Sequence, residues 1–244
     1  MSPEYTATEL MAIVMARHFR DGEVVVMGAM PALPLAACRL ARALTAPTLS
    51  YIVGGSGTVN PQPALLPAQS CGPELEGGPC TLPLPEVVLL EGRGDVLDVF
   101  CAGGLQIDAR GNCNLVCVGD HERPRLRGPG SVGLPFLPAV GRTLVYTLAH
   151  NPRTFVAQVD FVSGAGDRAA LVVTPLATMD FDPGSRRMRL ASTHPGVGVD
   201  DVLAATGFEL VLPRSVPETP PPTQEELAVL RRLDPGGALC TPVG

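Results

Sequence analysis

The chain has no lysine and no tryptophan, and aromatic residues make up only 4% of its 244 positions. All 18 basic residues are therefore arginines, set against 24 acidic ones for a net charge of −6. No basic stripe of the kind that tracks a nucleic-acid backbone is present, which argues against a nucleic-acid partner. The seven cysteines are odd in number and contain no C-x-x-C pair. That pattern excludes a disulfide scaffold and points to free thiols in a reducing compartment. Zinc would need two close ligand pairs, whereas Cys113 and Cys117 supply at most one and His121 is poorly placed to complete it, so no metal is expected. No run reaches the ~18 apolar residues of a membrane helix. The first 16 residues carry Glu4 and Glu9 and lack the basic start and apolar core of a signal peptide, so a cytoplasmic protein with no membrane partner is expected.

What is present is an α/β rhythm. Hydrophobic residues are 45% of the chain, enough for one sizeable core. Thr6 and Glu9 form a T-x-x-E capping box ahead of Leu10, Ile13 and Val14, which predicts a helix to about Arg20. The run 23–27 (E-V-V-V-M) reads as a strand buried on both faces, 33–44 as an alanine-rich helix, and 49–53 as a second strand. Residues 58–82 read as a long loop before a helix at 83–91, and 96–101 as a third strand. Further strands are expected at 143–148, 156–162, 170–173 and 188–191, with a short helix at 199–206. One domain is expected over 1–212. A proline-rich connector then leads from 213 into a capped C-terminal helix that opens at Thr223-Gln224-Glu225-Glu226 and packs on the same domain, to 244.

Three glycine-rich turns are candidate binding elements: Gly54-Gly55-Ser56-Gly57 after the second strand, Gly103-Gly104 with Gln106 after the third, and Gly128 to Gly133 with Gly130 and Ser131. Glycine allows close backbone approach, so successive N–H groups can converge on a carboxylate, a phosphate or a thioester oxyanion. In a chain with 27 glycines such turns are also plain loop geometry, and none matches a Walker loop or a dinucleotide fingerprint. Asp108 and Asn112 suit turn bracing, with Gly111 at positive φ, while Gln106 fits ligand contact and bracing equally. His150 reads as a hydrogen-bonded structural histidine, and His194-Pro195 as a turn.

At these positions the sequence resembles the β subunits of glutaconate CoA-transferase and its relatives. The segment G-G-L-Q-I-D-A-R-G-N-C-N at 103–114 is similar to that family's G-G-x-Q-I-D-x-x-G-N-x-N. The resemblance also takes in D-G-E-V-V-V-M-G at 21–28, R-L-R-G-P-G-S-V-G at 125–133, residues 150–155 with Q-V-D-F-V at 158–162, the run 201–210, and Asp234-Pro235-Gly236. It implies a three-layer α/β/α subunit of the sugar-isomerase and CoA-transferase superfamily, with a mostly parallel or mixed sheet. It further implies a homologous α subunit in an αβ or α2β2 assembly, an active site between the two, an acyl-CoA substrate and no separate cofactor.

One departure bears on the chemistry. The resembled transferases place a catalytic glutamate directly after the second strand, where its carboxylate attacks the thioester and then carries CoA between acids. Here that place reads Val53-Gly54-Gly55-Ser56-Gly57, so the glutamate corresponds to Gly54. Ser56 and Thr58 are the nearest hydroxyls, with no histidine close in sequence. Two offshoots that the chain resembles also lack the glutamate: one decarboxylates a methylglutaconyl-CoA, the other opens a ring of a steroid-derived CoA ester by hydrolysis. The expected activity is therefore cofactor-free decarboxylation or hydrolytic C–C cleavage of a CoA thioester. The alternatives are CoA transfer through another nucleophile and a non-catalytic partner subunit. On that reading Gly54 and Gly55 line the acyl pocket by their N–H groups, with Ser56 beside them; Gly103, Gly104 and Gln106 meet the thioester, and Gly130, Ser131 and Gly133 bear on the CoA or acyl side.

Overall fold

The computed structural model describes residues 4–240. In chain order its main elements are α1 (Ala7–His18), β1 (Val24–Met27), α2 (Ala32–Leu44), β2 (Ser50–Val53), β3 (Thr58–Val59), β4 (Cys80–Thr81), α3 (Leu84–Glu91) and β5 (Val99–Ala102). There follow β6 (Gln106–Ile107), β7 (Cys113–Asn114), β8 (Cys117–Val118), β9 (Leu126–Arg127), β10 (Arg142–Tyr146), β11 (Ala169–Val173), β12 (Ala177–Phe181), β13 (Met188–Thr193), α4 (Val199–Ala204) and α5 (Gln224–Leu233). The chain divides into two compact units, the first built from residues 1–101 and 221–244, the second from 102–220.

In the first unit β1 is the central strand, parallel to β2 on one side, Val26 opposite Ile52, and to β5 on the other, Val26 opposite Phe100. Val25, Val26 and Met27 are fully buried, as a β-branched run between two parallel neighbours requires. Beyond β2 the pairing turns antiparallel through β3 and β4, which makes the sheet mixed. Helix α1 is buried from Thr8 to Ala16, matching its nearly unbroken apolar run. The small residues Ala36, Ala37, Cys38 and Ala41 of α2 are buried as well.

Both expected capping boxes form. Thr6 Oγ1 accepts from the Glu9 N–H at 3.0 Å while Glu9 Oε2 accepts from the Thr6 N–H at 2.8 Å, and Thr223 and Glu226 repeat the pattern at α5. Helix α5 is tied to α1 by two ion pairs, Arg17 with Glu226 at 2.7 Å and Arg231 with Glu9 at 2.8 Å.

In the second unit β10 runs parallel to β11, and β12 and β13 follow antiparallel, so this sheet is mixed too. Two small hairpins, β6 with β7 and β8 with β9, lie outside it. Two sequence expectations need correction here. Residues 156–162 form no strand: the Val156 N–H reaches Ile107 O at 3.0 Å, and the segment then bends through Asp160, whose N–H is held by Gln106 Oε1 at 3.0 Å. Conversely β12, absent from the sequence reading, is the central antiparallel strand between β11 and β13.

Candidate active site

In the first unit, residues 54–57 form the tight turn of the β2–β3 hairpin. The Gly57 N–H donates to Val53 O at 2.8 Å, and Gly57 has φ +68° with the Leu82 carbonyl standing where its Cβ would be. Only glycine fits both conditions without strain. The Gly54 N–H donates to Met27 O at 2.9 Å and so is unavailable to a ligand. Gly55 is exposed, and a side chain on it would meet Ser70 Oγ and Cys71 Sγ of the loop that crosses the turn. Ser56 Oγ braces the turn, donating to Val53 O and accepting from the Thr58 N–H, both at 3.3 Å.

One acidic side chain reaches this turn. Oε1 of Glu91, the last residue of α3, lies 3.4 Å from the point where a Cβ on Gly54 would stand. Glu91 is 6% exposed, and no hydrogen bond or neighbouring charge among the described residues acts on its carboxyl. Burial pushes its carboxyl up from 4.5 to about 7.

In the second unit, the Gln106 side chain is held by its neighbours. Its Nε2 donates to Asp160 Oδ2 at 3.0 Å, and its Oε1 accepts from Asn114 Nδ2 at 2.7 Å and from the Asp160 N–H. Gly104 lies against the backbone of the β6–β7 hairpin, where a Cβ would come 2.8 Å from Gln106 O, and a Cβ on Gly103 would come 3.1 Å from Tyr146 O. Asp108 accepts from the N–H groups of Arg110 and Asn112 and from Asn112 Nδ2, and Gly111 has φ +80°, the braced turn expected there. In the turn at 128–133, Gly130 has φ +98° with open space at its Cβ position, Ser131 is half-buried and Gly133 is buried. Between them, Val132 is held at φ +53°. A β-branched residue in the left-handed region is strained, and such strain persists only where the surroundings impose it.

His150 is a structural group: Nδ1 lies 2.8 Å from Thr174 Oγ1 and Nε2 3.0 Å from Thr206 Oγ1. The buried His194 meets Thr219 Oγ1 at 3.0 Å and Thr174 O at 2.8 Å. Burial lowers each imidazole to about 4, with His194 adding to the effect on His150.

The coenzyme A transferase family model matches residues 8–205. The chain belongs to the coenzyme A transferase family. It is 31% identical to the B-type chain of the glutaconate CoA-transferase of Acidaminococcus fermentans, over 96% of this chain and 94% of that one. It is 32% identical to the cholesterol ring-cleaving hydrolase IpdB subunit of Rhodococcus jostii, over 95% and 94%. The crystal structure of the decarboxylase AibA/AibB superposes with a TM-score of 0.88 at 26% identity, covering 99% of this chain and 100% of that one. The α/β fold expected from the sequence is thus the fold of this coenzyme A transferase family member. The relatives divide among transferase, hydrolase and decarboxylase at nearly equal identity, so identity alone does not choose a reaction.

Within this family member the sequence reading located all three turns but missed Glu91. The signal lay in the helix period of L-P-E-V-V-L-L-E. Val87 and Glu91 are four residues apart, and they are the two buried positions of α3. Leu84, Val88 and Leu89 face outward at 59%, 38% and 70% exposure, the reverse of an ordinary amphipathic helix.

Proposed function

We propose that this chain is the β-type subunit of a heteromeric enzyme, paired with a homologous α subunit in an αβ or α2β2 assembly, and that it acts on an acyl-CoA thioester. The reaction favoured is decarboxylation or hydrolytic C–C cleavage without a further cofactor, in preference to CoA transfer. The reading rests on the turn after β2: no residue from 54 to 57 carries a carboxylate, and the resemblance to the transferases sets Gly54 at the place of their glutamate. Without that group no acyl anhydride or enzyme-bound CoA thioester forms at this position.

A site without the glutamate can still hold a thioester and stabilise the enolate left when carbon dioxide departs or a C–C bond opens. Gly55 and Ser56 in the first unit, and Gly103, Gly104, Gly130, Ser131 and Gly133 in the second, are the proposed contacts to acyl group and CoA. The Gly54 N–H is engaged by Met27 O and is not one of these contacts. Gln106 acts by holding Asn114 and Asp160 beside the thioester-facing glycines. The exposed Leu84, Val88 and Leu89 of α3 support a chain that is half of an assembly, because adjacent exposed apolar side chains mark interaction surfaces.

Trapping tests the reading. The complex co-expressed with its α subunit is mixed with a dicarboxylyl-CoA ester and quenched with borohydride or hydroxylamine, and each chain is weighed intact. Both chains should keep their unmodified masses while substrate is consumed. An acyl or CoA adduct on either chain would establish covalent transfer and overturn the preference for lyase or hydrolase chemistry.

A further inference from the structure

The carboxylate missing from residue 54 is supplied to the same turn from another element. Glu91 Oε1 lies 3.4 Å from the position of a Gly54 Cβ, within the reach of a glutamate side chain built on residue 54. On the reading above, we propose that Glu91 is the proton donor to the carbon of the thioester enolate formed beside Gly54.

Three observations support this role. Glu91 is more than nine-tenths buried, and no cation, N–H or hydroxyl among the described residues holds its carboxyl group. Its burial is also not a by-product of helix amphipathicity, since α3 turns three apolar side chains to the surface while keeping this acid inside. Finally, burial holds it part protonated near neutral pH, the condition in which one carboxyl group can both give and regain a proton.

The step balances without another reagent. In the decarboxylation arm the bond between the substrate's carboxylate carbon and its neighbour breaks, carbon dioxide leaves, and the electron pair spreads into the thioester as an enolate. In the hydrolytic arm water adds to a ring carbonyl, the hydrate gives one O–H proton to solvent, and the C–C bond opens to a carboxylic acid and the same kind of enolate. In both, the Glu91 O–H proton passes to the enolate carbon, and the resulting carboxylate recovers a proton from water. A glutamate at position 54 would bring a second carboxylate against Glu91, and the two could not both ionise at this separation.

The test compares the parent complex with Glu91→Gln and Glu91→Asp, using glutaconyl-CoA as the probe. Calorimetry is done first. If the parent complex binds no CoA thioester, the acyl-CoA reading fails and this proposal with it. If it binds, the infrared spectrum of the parent minus that of Glu91→Gln should contain a protonated carboxyl band that titrates near pH 7 and shifts when the thioester is added. In steady-state turnover Glu91→Gln should lose about 100-fold or more in kcat with little change in KM, and lose the pH limb near 7, while Glu91→Asp recovers part of both. A carboxyl band indifferent to the bound thioester, a Gln variant with the parent's pH profile, or a trapped adduct on Glu91 would each overturn the assignment.

Discussion

At the scale of the residue, burial of ionisable groups sets a pH dependence of stability whose parts have opposite sign. His150 and His194 are near 4 when folded against 6.5 when free, so the unfolded chain binds their protons first as pH falls. Their contribution is complete above pH 6.5 and is lost between 6.5 and about 4, at about 1.4 kcal/mol per pH unit per histidine. Glu91 runs the other way: its folded carboxyl at about 7 against 4.5 costs stability as pH rises through that window, with a similar slope. Urea denaturation from pH 4.5 to 8 should therefore show Glu91→Gln gaining on the parent up to about pH 7, with a constant difference above it. Equal slopes for the two proteins would mean that Glu91 is not held protonated. At the turn itself, Gly57→Ala puts a Cβ into the Leu82 carbonyl at positive φ and should cost about 1–3 kcal/mol, read from the same denaturation midpoints.

At the scale of the element, legibility followed locality. The boxes at Thr6 with Glu9 and Thr223 with Glu226 were readable because a cap is complete within four residues, and both helices begin where the boxes place them. Thr223→Ala should lower stability by about 1 kcal/mol, measured by thermal or urea unfolding, with an unchanged value counting against the cap. The link between α5 and α1 was not readable, because Arg231 and Glu9 are far apart in sequence. Glu9 is buried, its carboxyl pushed up by that burial but brought below its usual value by Arg231 and the Thr6 N–H. Arg231→Ala should cost on the order of 1–2 kcal/mol at neutral pH, reduced because the arginine is half-exposed. The cost should shrink in acid as Glu9 protonates.

The two strand errors have one cause each. In 156–162 only Val159 is buried, so no alternating face forms, and a side-chain network replaces the ladder. In β12 the alternation of Ala177, Met179 and Phe181 was present but short, following Thr174-Pro175, and its polar Thr178 is satisfied inside by Ser192 at 2.6 Å. A buried hydroxyl that finds a partner only in the folded molecule reads as a surface residue in the sequence. Glu91 was hidden for the same reason, as its significance depends on what stands across from it.

At the scale of the whole molecule, the α/β class and the family were legible because glycine turns and apolar strands are local patterns spread over nearly the entire chain. The division into two compact units and the return of the C-terminal segment to the first depend on long-range contacts. The proposed reaction rests on the absence of a carboxylate from the turn after β2, and it is best read from the products. The decisive measurement is mass spectrometry of the products made by the α–β complex from a panel of dicarboxylyl- and cyclic-ketone-acyl-CoA esters in oxygen-18 water, with and without acetate. The expected result is a CoA ester lighter by carbon dioxide, or one opened with heavy oxygen incorporated, formed equally with and without acetate. Acetyl-CoA that forms only when acetate is present would contradict the account and identify the complex as a true transferase.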